Sequence, residues 1–222
     1  MKRLIIAALA LGALAAPALG ADLPRKAPAY VSAGYSWTGF YAGINGGYAW
    51  GNSAWTLTTG GGTGNFNING PLVGGTIGYN LQTGAWVWGL EADLDWTNIK
   101  GSSSFAGCAG GFCETKNSWL GTARGRIGYA FDRFLPYITG GAAFGNEKLS
   151  TGAGAVGTTT RIGWTLGAGL EFAISGPWTA KIEYLYADLG KATCDSACNG
   201  GGTPFDVTFK TNIVRAGINY RF

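Results

Sequence analysis

The chain has 222 residues, 40 of them glycine, with 14% aromatic, only 13% Asp, Glu, Lys or Arg, and a formal charge of +4. Soluble domains carry roughly 7% Gly and about 25% charged residues, so this composition is too poor in charge to coat a soluble globule, while nine Trp argue against disorder. The glycines keep no three-residue period, which excludes collagen, and no apolar run of roughly 18 residues lies beyond the N-terminus, which excludes a helical membrane protein.

Met1-Lys2-Arg3 followed by the apolar run Leu4 to Ala16 reads as a secretory signal, and Ala18-Leu19-Gly20 offers the small residues of a cleavage site. The expected cut falls before Ala21, so residues 1–20 are the signal peptide; a cut after Ala18 is the alternative. A transmembrane anchor fits less well, because the run is short and breaks at Pro17. Without Lys2 and Arg3 the formal charge falls to +2, too near neutral to suggest a nucleic-acid partner. Residues 21–38, with Pro24, Arg25, Lys26 and Pro28, read as an exposed periplasmic leader, and 39–222 as the folded domain.

From Gly39 onward, segments of about ten alternating residues are separated by turns or loops. Strands are expected over Phe40–Trp50, Pro71–Leu81, Trp86–Trp96, Trp119–Ala130, Leu135–Gly145, Arg161–Phe172, Trp178–Leu189 and Phe209–Phe222. Successive strand residues point to opposite faces. The third strand is the clearest, with Trp86, Trp88, Leu90, Ala92, Leu94 and Trp96 on one face and Glu91, Asp93 and Asp95 on the other. In the seventh, Leu185 breaks the polar face. Aromatics gather near the strand ends on the apolar face, and glycines share the charged one. That arrangement fits membrane-interface girdles around a narrow, crowded lumen, and about ten residues suit a tilted membrane strand. The connections alternate. Those at 80–85, 130–134 and 173–177 are short; those at 51–69, 97–118, 146–160 and 190–208 are long and rich in Gly, Ser, Thr and Asn. Short turns belong in the periplasm and long loops outside. The expectation is an all-β, eight-stranded antiparallel up-and-down barrel in the bacterial outer membrane, closed because no sheet edge survives in lipid.

Cys108 with Cys113 and Cys194 with Cys198 are close pairs in an exported chain, so local disulfides are expected. A metal site is disfavoured, since the chain has no histidine and the spacings are not those of zinc. Gly152 to Gly157 matches G-x-G-x-x-G, but a dinucleotide fingerprint should open a helix, and here Thr158-Thr159-Thr160 and another strand follow. No cofactor is expected. The polar face gathers Glu91, Asp93, Asp95, Glu171 and Glu183 with Arg124, Arg126, Arg161, Lys181, Arg215 and Arg221. These charges could tune a narrow pore or serve as paired catalytic carboxylates. The near-balance of signs favours an interior ion-pair network, because unpaired buried charge costs several kcal/mol. Without a histidine base, or a nucleophile placed beside one, no catalytic residue is identified and an enzyme is not expected.

Several segments resemble the small immunogenic outer-membrane barrels of alphaproteobacteria, often labelled a porin family. These are Ala21-Asp22-Leu23-Pro24-Arg25-Lys26-Ala27-Pro28, Trp37-Thr38-Gly39-Phe40-Tyr41-Ala42-Gly43, Leu135 to Gly141, Glu183 to Gly190, and Asn212 to Phe222. The resemblance implies an OmpA-type eight-stranded barrel. It also implies that Phe222 resembles the C-terminal signal read by the barrel-assembly machinery, with periplasmic chaperones as partners during biogenesis and lipopolysaccharide and lipid afterwards. Some relatives bind haem; with no histidine here, that role attaches to no residue. The reading is a surface-exposed structural protein whose lumen is filled by ion pairs, the alternative being a narrow porin-like channel for small solutes.

Overall fold

The computed structural model describes residues 34–154, 156–194 and 203–222. The expected signal peptide and most of the expected leader lie outside the described residues. Eight strands form one closed antiparallel barrel in chain order: β1 (Gly39–Leu57), β2 (Gly62–Thr83), β3 (Trp86–Ser104), β4 (Phe112–Tyr129), β5 (Phe134–Thr151), β6 (Val156–Ser175), β7 (Trp178–Cys194) and β8 (Phe205–Arg221). β1 closes on β8, where Tyr41 opposes Arg221. A single 3-10 turn, Ala109–Gly111, lies between β3 and β4.

The membrane part is inside out, as the alternation requires. Ile44, Leu90 and Ile162 are each 71% exposed on the outer wall, a burial pattern that only lipid makes stable. Aromatic rings meet across strands at both ends of this band. Phe40–Tyr79 (4.6 Å) and Trp86–Tyr129 (5.3 Å) lie near the end bearing both termini. Trp164–Tyr186 (5.3 Å) lies toward the other. Two-residue turns close β2–β3 and β6–β7, each with a glycine first and at positive φ, Gly84 (63°) and Gly176 (51°). That conformation suits Gly in tight hairpins.

The strands run 17–22 residues, about twice what a tilted membrane span needs. The expected long loops are therefore mostly strand, and the connection between β1 and β2 shrinks to residues 58–61. Past the loop-end girdle the alternation continues but its polarity inverts. Phe66 and Ile68 on β2, and Phe205, Val207 and Phe209 on β8, point inward and are buried. Asn65, Asn67 and Lys210 on the same strands are exposed. The solvent outside has changed from lipid to water, so apolar side chains move to the inside. Trp55, Ile68, Ile99, Leu149, Phe205 and Phe209 pack there with Cys108 and Cys113 into one apolar core. Leu185, odd on a charged face, belongs to that core and is fully buried.

Bulges sit where the two storeys meet, between Trp96 and Ile99 and between Asn117 and Leu120. An added residue shifts the alternation, so on β4 the inward set passes from Cys113, Thr115 and Asn117 to Leu120, Thr122 and Arg124. Asn146 secures the bulge, its Oδ1 accepting the backbone N–H groups of Ser118 (3.0 Å) and Trp119 (3.1 Å).

Candidate functional site

The only large assembly of chemically active side chains among the described residues fills the membrane-level lumen. Alternation on β3 aims Glu91, Asp93 and Asp95 inward, and the register sets Glu91 opposite Arg124. Arg124 bonds Glu91, Asp93 (2.8 Å) and Glu183 (3.0 Å). Arg215 bonds Asp93 (2.8 Å), Asp95 (2.8 Å) and Glu183 (2.7 Å). Arg126 reaches Glu171 (2.6 Å) and, more loosely, Glu91 (3.4 Å). Lys181 donates to Glu91 at 2.9 Å. That last contact joins β7 to β3, four places apart in a ring of eight and hence diametrically opposed.

Neutral groups complete the network. Thr122 donates to Asp93 (2.7 Å), and Thr179 and Asn219 donate to Glu171 (2.6 and 3.0 Å). Tyr41 donates to Glu91 (2.7 Å) and Tyr137 to Glu183 (3.0 Å). The Arg126 guanidinium stacks over the Tyr137 ring at 4.1 Å, within cation–π range. Both tyrosine rings lie over glycines of the next strand, Gly78 and Gly169, where any Cβ would collide with the ring. Five carboxylates thus meet four cations, nearly all side-chain surface excluded from water.

Nine of the eleven charges expected on the lumen face come together here; two do not. Arg161 lies higher, in the apolar storey, where it pairs with Glu147 (2.7 Å) and donates to the Val207 carbonyl (2.9 Å). Sequence reading missed Glu147 because residues 146–160 look like a loop. Its signal was the parity of Tyr137 and Thr139 continued along β5. Arg221 stands at the termini-bearing mouth, its guanidinium 4.3 Å from the Tyr35 ring. There Trp37, expected in an exposed leader, is buried against Val87, Leu135 and Ala173. Its indole donates to the Asp132 carbonyl (3.0 Å). A large apolar ring gains more by covering the barrel floor than by facing water. Tyr41 was also missed, although it shares the parity of Asn45.

The Cys108–Cys113 disulfide is present. The Cys194–Cys198 pairing falls on Cys198, outside the described residues. Phe222 is 78% exposed at the barrel's end, its backbone N–H bonded to the Phe40 carbonyl (2.9 Å). Gly152 to Gly154 connect two strands and precede no helix.

An apolar band ringed by aromatics around a polar, closed barrel of eight strands defines an outer-membrane β-barrel protein. The chain belongs to the outer membrane protein beta-barrel domain family, whose model matches residues 6–222. It is 40% identical to the 31 kDa outer-membrane immunogenic protein of Brucella melitensis, covering all of both chains. It is 33% identical to the 25 kDa outer-membrane immunogenic protein of Brucella abortus, over all of this chain and 99% of that one. It is also 33% identical to the 22 kDa outer membrane protein of Rhizobium leguminosarum, over 84% and 79%. Among solved structures, Neisserial surface protein A aligns over 83% of this chain and 98% of its own at 16% identity, with a TM-score of 0.46. The protein is an outer-membrane β-barrel, and the relatives named here are called outer-membrane or immunogenic proteins, none of them an enzyme.

Proposed function

We propose that this protein is a structural, surface-displayed barrel with a closed lumen, and that it neither conducts solutes nor catalyses a reaction. The contact between Lys181 and Glu91 carries the reading, because it joins opposite walls of the barrel. An eight-stranded barrel has an interior that side chains can just fill. Here Trp37 covers one mouth, the ion pairs fill the middle, and the apolar core around Trp55 and Phe205 fills the loop end. Among the described residues every lumen carboxylate is engaged by a cation, which leaves none of them positioned for substrate. In this reading the loop end faces the outside and Phe222 serves the assembly machinery.

The test is planar-bilayer conductance of purified, verified monomer. The expected trace is flat, with at most rare, small steps. A large and stable conductance from the unmutated protein would replace this reading with the narrow-channel one.

A further inference from the structure

Above the loop-end girdle, the ladder between β6 and β7 stops early. β6 pairs with β5 as far as Val156, opposite Ser150, but with β7 only as far as Trp164, opposite Asp188. Beyond that point β7 leaves β6. Its ladder with β8 shifts between Asp188 and Lys191, where Gly190 takes a positive φ of 70°, and then runs on to Cys194, opposite Phe205. A side chain crosses this seam in place of a ladder. Arg161, paired with Glu147 of β5 (2.7 Å), donates to the carbonyls of Gly190 (3.3 Å) and Val207 (2.9 Å) on the far side. From Thr158 to Ile162, β6 therefore has a strand neighbour on one side only. In a ladder, backbone N–H and C=O groups point alternately to the two sides, so half of those on this stretch face the open seam.

Edges of this kind are normally blunted by proline, by a bulge or by outward charge, and this one carries none of these. The β5–β6 ladder has no register shift. The segment Thr158-Thr159-Thr160-Arg161-Ile162 has no proline, and its one charge, Arg161, is buried. All three threonines are exposed, including Thr159, whose parity is that of the inward Arg161, so water reaches the seam. Threonine also favours the extended chain that pairing requires. At about 3.3 Å per residue and a tilt of about 40°, Thr160 and Thr158 stand roughly 10–15 Å past Trp164, clear of the apolar band.

We propose that the β6 edge takes up an extended, acidic segment of another protein as an added β-strand. A row of unpaired backbone groups is met by another extended backbone, which supplies the missing hydrogen bonds. A second copy of this chain does not fit. Two copies in one membrane stand the same way up, so their β6 strands run in the same direction and, each tilted by about 40°, cross rather than align. Charge selects an acidic segment. Lys148, opposite Thr158 on β5, and Lys191, on the far bank of the seam, are both exposed. Neither forms an ion pair among the described residues, and Asp188 at the foot of the seam is already paired with Lys210 (3.6 Å). The surface-displayed reading above decides only which compartment supplies the partner. Binding is measured in detergent, where both ends of the barrel are open, so the two fail separately.

The experiment is hydrogen–deuterium exchange, read by mass spectrometry, on the full protein purified from outer membranes in mild detergent. The probe is a capped peptide of alternating Thr and Glu. Its controls are the same peptide with every second backbone nitrogen methylated, which cannot pair, and a peptide of alternating Thr and Lys. In the free protein the amides of Thr158 to Ile162 that face the seam should exchange far faster than those bonded to β5. The Thr-Glu peptide should slow them about tenfold and leave the short turns at Gly84 and Gly176 unchanged. The methylated peptide should give no protection, and the Thr-Lys peptide severalfold less. K148Q/K191Q should fold normally by circular dichroism and bind the Thr-Glu peptide severalfold more weakly. No slowing at Thr158 to Ile162 at the highest peptide concentration overturns the proposal. Equal protection by the methylated peptide overturns strand addition, and equal binding of the Thr-Lys peptide overturns the acidic partner.

Discussion

Arg215 holds Asp93, Asp95 and Glu183 at once and is 2% exposed. Removing one partner from a buried ion network costs more than the pair contributed, because the charge left behind cannot return to water. Arg215→Met should lower stability by about 3–5 kcal/mol, read as the shift in the urea unfolding midpoint of barrels in lipid vesicles. Lys191→Gln, at an exposed site, should stay within about 0.5 kcal/mol. Arg161 and Glu147 offer a sharper case, since they are paired inside an apolar core. Arg161→Met alone should cost about 3–5 kcal/mol by stranding Glu147. With Glu147→Leu added, most of that loss should be recovered, because apolar replacements of a buried pair are often neutral or stabilising. If the double variant is as unstable as the single, the Arg161 bonds to the Val207 and Gly190 carbonyls matter more than the charge pairing.

Each strand meets two solvents in succession, lipid and then water, and its alternation is read oppositely in the two. On β2, Val73 and Ile77 face outward at 62% and 64% exposure, whereas Phe66 and Ile68 face inward. A search for one continuous apolar face stops at the girdle, which is why the expected strands end at Trp50, Trp96 and Gly145. The continuation was legible in the period itself, from Asn65-Phe66-Asn67-Ile68-Asn69, and the missing step was to let polarity invert while period two persisted. Labelling of intact cells tests this element. In a background lacking the native cysteines, Asn67→Cys should react with an impermeant maleimide and Ile68→Cys should not. Equal labelling of both would return the segment to a loop. In the membrane band of β6, a lipid-resident quencher should reach a probe at Leu166 and not one at Thr165; the reverse would mean a slipped register, since one residue exchanges the faces.

At the scale of the whole molecule, closure brings strands distant in sequence to opposite walls. Tags inserted at Gly60, Gly110 and Gly154 should be reachable on intact cells and tags at Gly84 or Gly176 should not, because the first three lie at the loop end and the others in the tight turns. Surface access at Gly84 would invert the orientation. The sequence by itself determined the strand number, the lipid-facing parity and the identity of most lumen charges. Those properties are local: alternation, girdle aromatics and turn glycines are written within ten or twenty residues of one another. Only the tertiary structure decided who pairs with whom. Lys181 meets Glu91 across the diameter, Arg161 leaves the network for Glu147, and Trp37 turns under the floor. Those partnerships depend on strand tilt, register and the bulges at Trp96 and Asn117. These are cooperative properties of a closed sheet, fixed by the mutual fit of eight strands rather than by any one segment.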